Sequence, residues 1–134
     1  MQTPVQRVID TVSTWTGVES ASHRFGGVEF MLGRVEIGHI HRGGMVDIPF
    51  TRALRAALVA AGEAEHHHLL HDSGWITYHM HGDAGYAQAL RLYRLSYLHK
   101  RARRHIIADL PAQLDDLAFG AAINTIVQRG AKTA

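Results

Sequence analysis

Residues 34–50, RVEIGHIHRGGMVDIPF, decide the fold. From Arg34 to His41 the side chains alternate, with Val35, Ile37, His39 and His41 predicted on one face and Glu36, Gly38 and Ile40 on the other. A period of two is the signature of a strand whose successive residues point to opposite sides. Gly43-Gly44 is a turn signal, and Met45–Phe50 returns as a second strand that Pro49 closes. With Val46, Ile48 and Phe50 on the core side, Asp47 points to the opposite face.

Upstream, Val28–Leu32 reads as a strand after the Gly26-Gly27 turn, and residues 20–25 read as its antiparallel partner. Before them, Val5, Val8, Ile9, Val12 and Trp15 recur at helical spacing, which predicts a helix over residues 4–16 capped by Thr3, with Pro4 at its first position. Downstream, Thr51 caps a helix through Ala61 that stops at Gly62, and residues 63–74 form a polar, histidine-rich connection. Trp75–His81 is a strand by its β-branched and aromatic content. A long helix follows over residues 83–104, Leu110-Pro111 breaks the chain, and a last helix covers about 112–128 as an appendage. The order predicts a single α+β domain over residues 1–134. Its expected form is an antiparallel sheet of about four to five strands, with helices packed on one side and an extra C-terminal helix.

Composition narrows the function classes. The chain of 134 residues is 46% hydrophobic and 19% charged, as expected of one domain with a real core. It contains no cysteine, which excludes disulfides, thiolate metal sites and a thiol nucleophile. Fourteen basic against twelve acidic residues leave a net charge of +2, too small to argue for nucleic-acid binding, and the Lys100–Arg104 cluster reads as a solvated helix end. No apolar run reaches the roughly 20 residues that span a bilayer, and the first residues lack a signal-peptide pattern. A cytoplasmic protein without membrane or nucleic-acid partners is expected; a homodimer is compatible with the sequence.

Histidine is the unusual residue: there are 11, six of them between His66 and His81. His39 and His41, two apart on one strand, project the same way with Cβ atoms ~7 Å apart. Such a pair can hold a metal, relay a proton or orient a substrate. It can also be two strand histidines bonded to backbone or water. Local spacing supplies no third metal ligand, although a histidine of the Glu65–His71 segment could join the pair if it folds toward the sheet. Asp47 is a polar outward residue or a partner for an arginine or a histidine, and Trp75 and Tyr78 are sheet-packing aromatics more often than ligand platforms.

The stretch Arg34-Val35-Glu36-Ile37-Gly38-His39-Ile40-His41 resembles the Arg-Glu-Ile-x-His-x-His stretch of the luciferase-like domain family, with Val35 as a one-residue insertion. Val46–Phe50 is similar to that family's next apolar strand, and Leu58–Gly62 followed by His67 and Leu69 resembles its helix, glycine and His-Pro-Leu segment, with His68 in place of proline. Trp75–Tyr78 and Ala87–Leu98 resemble its Trp-bearing strand and closing helix, so that the likeness runs over about residues 23–98. The family includes fungal luciferase, which oxidises a hydroxylated styrylpyrone with molecular oxygen and with no metal or flavin known to be required, and small bacterial domains of no established function. The resemblance implies a pocket between sheet and helices that binds a small aromatic or enolic molecule. His39, His41 and His67 would be its catalytic candidates, with Arg34, Glu36, Asp47 and Trp75 around the ligand. It implies no cofactor. A divalent metal on His39, His41 and His67, or a non-enzymatic binding or interaction module, remains open.

Overall fold

The computed structural model describes residues 2–23 and 26–134. The chain forms α1 (Pro4–Ser13), β1 (Val18–Ser22), β2 (Val28–Leu32), β3 (Val35–Ile40), β4 (Met45–Pro49), α2 (Arg52–Ala60), β5 (Glu65–His66) and β6 (Trp75–His79). A 3-10 turn at Gly82–Gly85 leads into α3 (Tyr86–Ala102), followed by α4 (Leu110–Leu117) and α5 (Ala121–Arg129). The sheet has six antiparallel strands in the order β1-β2-β3-β4-β6-β5. With five helices among the described residues it is an α+β fold. The sixth strand is the two-residue β5, which pairs Glu65 with Thr77 and His66 with Ile76 inside the segment expected to be a polar connection.

Local chemistry sets the helix starts. Thr3 and Thr51 each accept a backbone N–H three residues on, from Gln6 at 3.1 Å and Leu54 at 3.2 Å. These bonds satisfy donors that a helix start leaves without an intrahelical partner. The predicted strand over residues 20–25 is β1 at Val18–Ser22, and the part assigned to Arg24 and Phe25 lies outside the described residues. The single C-terminal helix expected over 112–128 is two helices. Ala118 takes a left-handed conformation (φ 59°) and Gly120 has φ 102°, which no α-helix accommodates. Leu110-Pro111 begins α4 instead of interrupting the chain, since proline is tolerated in a first helical turn.

The core lies between the sheet and the helices. Val8 and Val12 of α1, Phe30 of β2, Ile37 and Ile40 of β3, Val46 and Ile48 of β4, Ile76 of β6 and Leu92 of α3 are fully buried in one cluster. Pairing between β2 and β3 is irregular: Phe30 faces Gly38 but Met31 faces Glu36, so Ile37 is the extra residue of a bulge. Two α3 side chains meet the bulged strand. Ser96 donates to the Ile37 carbonyl at 2.7 Å, and the buried Tyr93 hydroxyl donates to the His39 carbonyl at 2.8 Å. The bulge is therefore anchored from the helical side, and this sets how the next two residues of β3 project on the other side.

Candidate functional site

Across the sheet one row of residues runs through five strands: Glu29 on β2 pairs with His39 on β3, His39 with Asp47 on β4, Asp47 with Thr77 on β6, and Thr77 with Glu65 on β5. Directly paired residues share a face, so register alone brings His39, Asp47 and Thr77 side by side. The bulge changes which residues accompany them. Strict alternation puts Ile37 with the histidines, yet Ile37 is buried in the core, and Glu36 reaches His39 instead, its Oε2 accepting from Nδ1 at 2.7 Å. The expected grouping of Val35 and Ile37 with His39 and His41 is thus corrected by one inserted residue.

Asp47 is the centre. It is 1% exposed and accepts hydrogen bonds from the Thr77 hydroxyl at 2.7 Å and from His41 Nε2 at 2.9 Å, with His39 Nε2 at 3.4 Å. Burial alone would raise its pKa, but the bonds from His39, Thr77 and His41 outweigh burial and hold the carboxyl well below the usual range. For His39, burial opposes the charge, while the bonds to Asp47 and Glu36 win and push the imidazole up to about 9. It is a cation at neutral pH.

His67 is fixed in another way. Its Nδ1 accepts the backbone N–H groups of Leu69 at 3.1 Å and Leu70 at 3.1 Å. A neutral imidazole whose Nδ1 accepts must carry its proton on Nε2. That Nε2 lies 3.7 Å from Asp47 Oδ1. Burial lowers the His67 pKa; the Asp47 charge opposes it and the neighbouring imidazoles add to it, and the net lowering favours the neutral form. His67 therefore offers an N–H donor to the space beside it.

That space is a cavity of about 360 Å³. Its polar wall is Glu36, His39, His41, Asp47 and His67, and its apolar wall is Leu69, Leu70 and Trp75. The Trp75 ring centroid is 5.5 Å from that of His39 and 5.8 Å from that of His67. The structure thus brings together His39, His41, His67, Glu36, Asp47 and Trp75. Arg34 is exposed and is not part of the lining. No helix contributes to the lining among the described residues, so the pocket expected between sheet and helices lies between the sheet and the 67–70 loop.

Two contributors, His23 and Thr77, escape sequence reasoning, and a third, His68, comes from the histidine run already singled out. His23, just after β1, stacks on His39 with ring centroids 4.2 Å apart and lines the cavity; burial, and then the His39 charge, lower its pKa. His68 stacks on His67 at 4.2 Å. Thr77 reaches Asp47 only through pairing of β4 with β6. Neither His23 nor Thr77 carries a local signal, because each arrives by strand register or from a strand end.

The charge pattern makes stability depend on pH. The His39 contribution is full below its ordinary value of 6.5 and is lost as pH rises from there through about 9. The Asp47 contribution is present above its ordinary 3.8 and is lost as pH falls through the depressed folded value. Lys100, held at about 7 against an ordinary 10.5, makes stability rise over much of the same span, so the His39 share is read as a difference: the urea midpoint of the wild type minus that of His39→Gln is expected to fall between pH 6.5 and 9. A difference that does not change over that span would contradict the coupling.

Residues 34–96 match the family model of the luciferase domain. The match covers β3 through most of α3, the span that holds His39, His41, Asp47, His67 and Trp75. No curated protein and no solved structure matches the chain.

Proposed function

Because the chain carries a luciferase domain over residues 34–96, we propose that the histidine-lined cavity binds a small enolic or phenolic molecule and takes its acidic proton. The observation that carries this reading is a buried carboxylate bonded to His41 at 2.9 Å, beside a cavity with one polar wall, which includes the His39 cation, and one apolar wall. His41 Nε2–H donates to Asp47, which leaves Nδ1 to accept a proton. The carboxylate orients the ring, the role an aspartate plays behind a catalytic histidine. The His39 cation and the His67 Nε2–H then steady the oxyanion in a partly dry site, where such contacts are stronger than in water. Trp75, Leu69 and Leu70 pack on the ring. An electron-rich anion held in this way is suited to direct reaction with molecular oxygen.

The test is a titration with phenols and hydroxypyrones, read by Trp fluorescence in a Trp15→Phe background and by the absorbance of the ionised ligand. Saturable binding as the anion is expected. His67→Ala is expected to weaken it about tenfold, the worth of one lost charge-assisted bond. His41→Ala is expected to abolish ionisation of the bound ligand and to slow any oxygen uptake about 100-fold or more. Absence of binding across the panel, or equal ionisation in His41→Ala, would sink the reading.

A second reading has its own observation. His39 Nε2 and His41 Nε2 lie 3.4 and 2.9 Å from Asp47 Oδ2, edge lengths that suit ligands ~2.1 Å from one metal ion. Glu36 behind His39 Nδ1 is the outer carboxylate that commonly orients a metal-binding imidazole. His67 does not fit this set, because its Nε2 carries the proton. Metal analysis of untagged protein separates the two: stoichiometric metal in the wild type that disappears in His41→Ala and Asp47→Asn supports the second.

A further inference from the structure

We propose that the chain holds a second ligand site, a pocket for a small oxyanion, a carboxylate or a phosphate, at the C-terminal end of α3. The cavity, of about 260 Å³, is lined by His99, Lys100, Arg103 and Arg104, with Pro49 and Phe50 forming part of its apolar floor. It is separate from the histidine cavity: Val35 faces this one, while its neighbour Glu36 faces the other.

No ion pair among the described residues neutralises the charges here, and the one carboxylate that favours the Lys100 ammonium, Glu36, acts from outside the cavity. Among the described residues no carboxylate lies within ion-pair distance of Lys100, Arg103 or Arg104, and none lines the cavity. Lys100 Nζ donates to the Pro49 carbonyl at 2.5 Å and to Ser96 Oγ at 2.6 Å, both neutral acceptors, which leaves its third N–H. His99 is 5% exposed, and its Nδ1 has no hydrogen-bond partner. Burial, with Lys100 and Arg103 adding to it, pulls His99 down to about 4, and burial pulls the Lys100 ammonium down to about 7. Three cations and an unsatisfied buried imidazole nitrogen in one concavity raise its potential, and a bound anion lowers the energy of all of them. Thr51 brings the positive end of α2 to the same rim. The floor of Phe50 and Pro49 suits an anion that carries a short apolar body.

Balancing the α3 dipole is the competing role for Arg103 and Arg104, which are exposed. The two are separated by thermal unfolding of the full chain at mildly acidic pH with inorganic phosphate, with benzoate, and with chloride at matched ionic strength. A ligand specific to the folded state raises Tm with saturation of the site. Phosphate, benzoate or both are expected to raise Tm saturably above the chloride control, and which of them does so identifies the anion. In Arg103→Gln and Arg104→Gln the half-saturating concentration should rise about tenfold each. No rise beyond chloride, or an unchanged response when both arginines are replaced, would overturn the proposal and leave the dipole role.

Discussion

Asp47→Ala is expected to destabilise the fold by about 3 kcal/mol, at the lower end of what breaking a buried charge pair costs. The substitution removes an acceptor for the Thr77 hydroxyl and for His41, and one of two carboxylates beside the His39 cation. Two features hold the loss to that lower end: Glu36 still bonds His39 at 2.7 Å, and the partly exposed His41 ring can turn toward water. Asp47→Asn keeps the shape and an acceptor for Thr77 but not the charge, and about 1–2 kcal/mol is expected. In that variant the His39 pKa should fall from about 9 toward its ordinary value, and the alkaline loss of stability should shrink with it. Urea unfolding at unchanged m-value measures the first effect, and a titration of the His39 ring protons by NMR measures the second. An Asp47→Ala protein within 1 kcal/mol of wild type, on the scale of ordinary surface substitutions, would mean that the buried carboxylate does not organise the site.

Gly38→Ala is expected to cost about 2 kcal/mol, although it changes no side chain of the site. An added Cβ would lie 2.9 Å from the Asp47 carbonyl oxygen, 2.9 Å from Tyr93 Cε1 and 3.0 Å from Ile48 Cγ1. None of these yields easily: one is backbone, one is a buried ring tied to the His39 carbonyl, and one is a fully buried isoleucine. Overpacking of this kind typically costs about 1–3 kcal/mol, against which alanine recovers about 0.5–1 kcal/mol of chain entropy. Relief requires β4 or α3 to shift, and β4 carries Asp47. The His39 pKa should therefore move along with the stability. Gly43→Ala is the control, because nothing lies within 4 Å of the Cβ it would add, and it should stay within about 0.5 kcal/mol of wild type. Equal stability of the two variants would remove close approach as the reason for glycine at position 38.

Much of this molecule was legible in its residues. Thr3 and Thr51 cap the helices they were expected to cap, β3 and β4 form a hairpin across Gly43-Gly44, and Asp47 lies on the side away from Val46 and Ile48. His39 and His41 lean the same way and meet one carboxylate. Each of these follows from spacing within a few residues, and a covalent chain determines such spacing by itself.

Only tertiary structure decided the rest. The bulge at Ile37 depends on how β2 pairs with β3 and on the α3 side chains that meet its carbonyls, and it alone sends Ile37 inward and Glu36 to His39. Thr77 reaches Asp47 across a strand pairing 30 residues apart in sequence, and His23 and His67 arrive from a strand end and a loop. Strand register and loop path are set by contacts between distant segments, and no local period encodes them. The amino-acid sequence by itself determined which side chains could do the chemistry, whereas long-range pairing decided that Asp47 would be buried among them and so which of them carry charge.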